Sequence, residues 1–162
     1  MALENKDCPT GLILSRQAVQ DIDVPERYAN ALKAQKGAYI IEEDEGDLDI
    51  ILVANGSDVS TIFEGAKLLR EKGLKVRIIS APSEGRFRRQ DKSYQTDLFP
   101  VGIPVFGLTA GLPVNLEGLV GPNGKVHGLD HFGYSAPYKV LDEKFGFTPT
   151  NVFEKVMEYL RN

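Results

Sequence analysis

Four short stretches of this chain hold residues whose types and spacing could do chemistry. Arg16 ends the apolar run Leu12-Ile13-Leu14-Ser15. A planar guanidinium suits bidentate phosphate contact, and open α/β sheets bind ligands beyond the carboxyl ends of their strands. An arginine where a strand reaches the surface satisfies the same residues without any ligand. Asn55, Gly56 and Ser57 follow a second apolar run and precede a helical pattern. Amides at such a helix start could hold an anion. The turn lacks the Gly-Lys-Ser/Thr ending of a Walker A loop and the repeated glycines of a dinucleotide fingerprint. A strand-to-helix turn capped by Ser57 explains it equally.

The third stretch is basic: Arg86, Arg88, Arg89 and Lys92 are interleaved with Phe87 and Tyr94. It reads as an anion patch or as a solvated helix face offset by Glu84 and Asp91. The chain's formal charge of −4 favours the second reading. The fourth stretch holds His127, Asp130 and His131. Asp130 and His131 could act as acid and base, and His127 and His131 have the i, i+4 spacing of two ligands on one helix face. Gly128 and Gly133 make the stretch a loop, no His-Glu-x-x-His motif is present, and no nucleophile elbow accompanies it. The structural reading is a tight loop with Phe132 buried and Ser135 capping the next helix. No metal site is expected.

The elements that must position these residues are legible from apolar spacing. The chain has 162 residues, 42% of them hydrophobic, enough for one ordinary core. Nothing is long and apolar enough for a membrane span, no signal peptide opens the chain, and no basic balance suggests nucleic acid. One cysteine, Cys8, forms no internal disulfide, which fits a reduced cytoplasmic setting. Residues 12–15 read as a strand, and 18–36 as a linker with a helical turn near 26–34. Residues 38–44, 49–55 and 74–80 read as strands, and a further strand over 104–108 runs into a Gly/Pro loop. Val59, Ile62, Phe63, Ala66 and Leu69 mark a helix that closes at Lys72-Gly73. Residues 135–146 form another, from a Ser135 cap to Gly146. The last helix has Thr148 as its cap, Pro149 in its first turn, and a stripe of Val152, Phe153, Val156, Met157 and Leu160. Strands alternating with helices predict a three-layer αβα fold on a mostly parallel, mixed sheet of about five strands. Residues 48–80 form one βαβ unit with a right-handed crossover expected.

An ordered set of motifs also resembles a known family. "LILSRQ", "KGAYII", "DIILVANGSDVSTIFEGAKLLREKGLKVRIISAPS", "F…Q…Y" and "FGYSAP…L…FGFTPTNV" occur in sequence at family-like spacing. Together they resemble the C-terminal domain of transketolases. The resemblance covers essentially residues 9–160.

The resemblance implies a division of the chain. Residues 1–17 would be the tail of a preceding pyrimidine-binding domain, 18–36 a linker, and 37–162 the C-terminal domain. Residues 12–14 would then be the last strand of a neighbouring sheet. A transketolase moves a two-carbon ketol unit between ketose and aldose phosphates in the pentose phosphate pathway, using thiamine diphosphate and Mg²⁺ (or Ca²⁺). The family's catalytic and metal-binding residues lie upstream of this domain. The resemblance therefore implies no catalytic residue and no cofactor held here. It implies that these 162 residues are inactive alone, with the upstream domains and a homodimer as partners. One position carries over: the arginine of the "LSRQ" motif contacts the sugar phosphate, and here it is Arg16. The equivalent domain of a 2-oxoacid dehydrogenase β-type subunit or of a deoxyxylulose-phosphate synthase is the nearest alternative parent, and a stand-alone phosphate- or nucleotide-binding module is the other. The chain departs from the family at Asp130-His131-Phe132-Gly133, where Asp-Arg-Phe-Gly is common. It departs again at Leu108-Thr109-Ala110-Gly111, where Val-Glu-Ala-Gly is common, and at Leu116, near a usual Trp.

Overall fold

Five consecutive residues buried on both faces form the central strand of the sheet. The computed structural model describes residues 3–161. Within it, strand β1 (Tyr39–Glu43) is followed by β2 (Ile50–Ala54), β3 (Val76–Ser80), β4 (Val105–Leu108) and β5 (Lys125–His127). Their spatial order is β1-β3-β2-β4-β5. β2 pairs in parallel with both β3 and β4, and β4 with β5. β1 runs antiparallel to β3, with a register shift between Ile40 and Glu42. The three-layer, mixed five-stranded αβα architecture expected from the sequence is the one observed.

The helices are α1 (Arg27–Leu32), α2 (Asp58–Glu71), α3 (Glu84–Phe87), α4 (Lys92–Leu98), α5 (Val114–Val120), α6 (Tyr138–Phe145) and α7 (Pro149–Tyr159). Strand side chains alternate between two cores. Ile50, Leu52 and Ala54 meet Ile62, Ala66 and Leu69 of α2 and Val152 and Val156 of α7. Ile51, Val53 and Ile79 face Phe87, Leu98, Leu116 and Leu119 of α3, α4 and α5. α2 and α7 lie close because Gly65 has no side chain: a Cβ there would stand 2.9 Å from Val152 Cγ1 and 3.3 Å from the Pro149 carbonyl oxygen. Thr148 caps α7 as its sequence predicts, its Oγ1 accepting the Asn151 N–H at 3.3 Å.

Two arginines fasten the antiparallel edge. Arg77, buried on β3, donates to Glu43 opposite it on β1 and to the carbonyls of Asp97 and Leu98 that end α4. Arg70 of α2 pairs with Glu42 at 2.6 Å and Asp44 at 2.9 Å. Past the bulge at Ile41, regular strand alternation sends Glu42 and Glu43 to opposite layers, so each meets one arginine.

Residues 12–15 pair with no described strand of this chain: Leu12, Ile13 and Leu14 are 73%, 100% and 84% exposed. Several other local expectations are corrected. Ser57 has helical backbone angles and makes no side-chain cap; its carbonyl instead accepts the Ser60 hydroxyl at 2.8 Å. Ser135 does not cap α6, which begins after Pro137. Phe132 is 96% exposed, because its loop stands off the sheet. β5 is a strand where sequence reading saw the start of a loop; three residues are too few to display a period.

Candidate functional site at the carboxyl ends of β2 and β4

The chain leaves β2 toward β3 on one side, while β4 lies on the other. Such a switch point opens a crevice at the carboxyl ends of parallel strands. Asn55 and Thr109 follow β2 and β4 there, and Thr109 Oγ1 donates to Asn55 Oδ1 at 3.3 Å. Thr109 Oγ1 also accepts the Gly111 N–H at 3.2 Å, and the Thr109 N–H reaches the His127 carbonyl at 3.0 Å. Thr109, one of the departures from the family pattern, is thus a buried tie between three strand ends.

Asp58 closes the crevice. It is buried at the first position of α2, and its Oδ2 accepts the Ala110 N–H at 2.6 Å. Burial pushes its carboxyl up to about 6, the Ala110 hydrogen bond opposes this, and Asp142 of α6 adds to it. Burial also raises Asp142. Sequence reading passed over Asp58; a carboxylate in the first helical turn is ordinarily a solvated dipole partner, and nothing local signals its burial.

The positions singled out from the sequence are distributed as follows. Asn55, Gly56 and Ser57 form the β2–α2 turn, with Gly56 at φ 56°. The amides of Asp58, Val59 and Ser60 already reach the carbonyls of Asn55, Gly56 and Ser57, and the Asp58 carboxyl stands at the same helix start. Arg16 is exposed on an irregular segment. That segment passes over the same turn: a Cβ on Gly56 would stand 3.9 Å from Ser15 Oγ. Arg88 pairs with Glu84 at 2.6 Å and Arg86 Nε donates to the Gln35 carbonyl, while Phe87 is buried, so the basic stretch is a largely solvated face. His127 Nε2 lies 2.8 Å from the Phe145 carbonyl oxygen, and burial lowers its proton affinity. His131 is exposed, with Nδ1 2.8 Å from the Phe132 carbonyl oxygen. Among the described residues no three His, Cys, Asp or Glu side chains cluster as metal ligands.

The fold and crevice define an αβα domain with an antiparallel edge strand and a hydrogen-bonded switch point. The family described as "Transketolase-like TK C-terminal domain" matches residues 37–148. The chain belongs to that family. It is 37% identical over 159 residues to a transketolase of Aquifex aeolicus, covering 98% of this chain and 23% of that one. It is 36% identical to a transketolase of Staphylococcus epidermidis over 157 residues, 96% of this chain and 24% of the other. The chain thus spans about a quarter of the length of these curated relatives. Among solved structures, a Leishmania mexicana transketolase superposes with a TM-score of 0.73 at 33% identity, over 80% of this chain and 19% of that one. A Pichia stipitis transketolase in complex with sedoheptulose 7-phosphate gives 0.74 at 28% identity with the same coverage. A split-gene transketolase, described as an inactive β4 tetramer, shares the fold at a TM-score of 0.68 and 18% identity.

Proposed function

We propose that this chain supplies the C-terminal domain of a transketolase. The enzyme would move a two-carbon ketol unit between ketose and aldose phosphates in the cytoplasm. Thiamine diphosphate and a divalent cation, when bound, supply the carbanion chemistry, and other domains hold them. Similarity to transketolases across nearly the whole chain carries this reading.

The role of these residues is to bind and support. Arg16 would contact the substrate's phosphate in the assembled enzyme. A charge-assisted hydrogen bond of this kind contributes about 1.5–3 kcal/mol. At Arg16 alone, exposed, that supports no useful affinity. The exposed apolar residues at 12–14, with Phe132, Tyr134, Tyr138 and Val140, have the character of surface covered by neighbouring domains or a partner subunit.

The assay mixes the purified chain with xylulose 5-phosphate, ribose 5-phosphate, thiamine diphosphate and Mg²⁺. The chain alone yields no sedoheptulose 7-phosphate, and turnover arises when cofactor-binding transketolase domains are added. Turnover without those domains overturns the reading. An anion held at Asn55, Gly56 and Ser57 is the weaker reading, because the first-turn amides already have carbonyl partners. Phosphate titration is expected to leave the shifts of residues 55–60 unmoved.

A further inference from the structure

Arg16 lies on a segment without regular structure, yet that segment has a defined resting place. Gln17, Ala18, Val19 and Gln20 form one wall of a cavity of about 160 Å³. Ser57, Asp58, Ser60 and Thr61 of the α2 start form a second wall, and Tyr138 and Asp142 of α6 a third. Upstream, Ser15 Oγ rests above Gly56, at 3.9 Å from the place a Cβ would take. We infer that the first turns of α2 and α6 form a seat for residues 15–20, and that this seat makes Thr61 and Asp142 positioning residues for Arg16.

The seat has one rigid wall. Asp58 is buried and tied to the Ala110 N–H, so the start of α2 is fixed to the end of β4. The positive φ of Gly56 makes glycine the residue suited to this turn, while a Cβ there would only come into ordinary contact with Ser15 Oγ. The lining is largely polar: Gln17 and Gln20 border the same cavity as Ser57, Ser60, Thr61 and Tyr138 and the acidic residues Asp58 and Asp142. Neutral amides fit between two acidic groups, whereas a third carboxylate there would be repelled. Through this seat the C-terminal domain would set the position of a substrate-binding residue that lies outside the domain's own sheet. That consequence rests on the proposed role of Arg16; the seat itself does not.

Two variants test it from opposite sides. Thr61→Trp fills the cavity from α2, and Gln20→Glu adds a carboxylate from the segment while leaving both helices intact. NMR order parameters of residues 15–20 in the 162-residue chain report the seat directly. In the unmodified chain they are expected near those of folded backbone, about 0.8, and in both variants below about 0.6. Values for 15–20 as low as those for 11–14 in the unmodified chain, or unchanged values in Gln20→Glu, overturn the seat. In the enzyme assembled with its cofactor-binding domains, Thr61→Trp is expected to raise KM for the ketose phosphate about tenfold with a far smaller change in kcat. In an Arg16→Ala background it should add nothing further. Lost order with an unchanged KM leaves the seat standing and removes Arg16 from substrate binding.

Discussion

Asp58 accepts the Ala110 N–H at 2.6 Å, joining the start of α2 to the residue two beyond the end of β4. The bond spans the switch point and ties the α2 start to a strand end already paired with β2. It also holds a carboxyl in a place where ionisation is costly.

Stability is therefore expected to depend on pH through Asp58. Its carboxyl is raised from 3.8 to about 6 in the folded state. Between those values the folded chain holds a proton that the unfolded chain has released. The stability that Asp58 contributes is full below about pH 4 and is lost as pH rises through about 6. The loss is on the order of 1–3 kcal/mol. Asp58→Asn keeps an acceptor for Ala110 and should flatten most of this slope in urea unfolding at pH 4.5, 5.5 and 7. Equal slopes in both proteins would refute the assignment.

Gly65→Ala pits helix propensity against space. Alanine favours the helix by about 1 kcal/mol, but its Cβ would stand 2.9 Å from Val152 Cγ1. Crowding of this kind costs about 1–3 kcal/mol, so a net loss of stability is expected. Val152→Ala in the same chain should recover part of it, and a double-mutant cycle measures the coupling.

Arg77→Ala removes both the partner of Glu43 and the donor to the last carbonyls of α4. Breaking a buried pair costs about 3–5 kcal/mol; half-exposed Glu43 brings the expected loss to about 2–3 kcal/mol. Arg77→Lys recovers the charge but not the fork that reaches three oxygens at once. Thermal unfolding should rank the parent above Arg77→Lys, and Arg77→Ala lowest.

Thr148→Ala deletes the one acceptor that holds the Asn151 N–H. A cap of this kind is worth about 1 kcal/mol. Because Val152 and Val156 of α7 are core residues, the loss should appear in global unfolding and not as fraying alone.

The βαβ unit over residues 48–80 was legible because three independent signals agree there. The apolar run of β2 has the length of a doubly buried strand, α2 shows a helical period, and Gly73, at φ 83°, ends it. The Thr148-Pro149 start of α7 was legible for the same reason: cap, proline and apolar stripe coincide. Where one signal stood alone it misled. Ser57 and Ser135 are good caps by residue type, yet the backbone at Ser57 is already helical and α6 starts three residues after Ser135. Phe132 is apolar and yet faces solvent, because burial depends on what the rest of the fold brings near. Asp58 is the reverse case. Its hydrogen-bond partner Ala110 lies 52 residues away and its acidic neighbour Asp142 lies on α6, and no local pattern encodes either.

The bulge at Ile41 also bears on how the domain behaves in crowded company. A flat parallel sheet ending in an apolar border would offer its free amides and carbonyls to any passing strand. Here the outermost strand runs against the grain of its neighbour, is kinked after two residues, and carries Glu42 and Glu43. The opposite border, β5, is three residues long. A newly made domain with such borders gives little purchase to another copy of itself, so sheet-to-sheet aggregation is guarded against at both flanks.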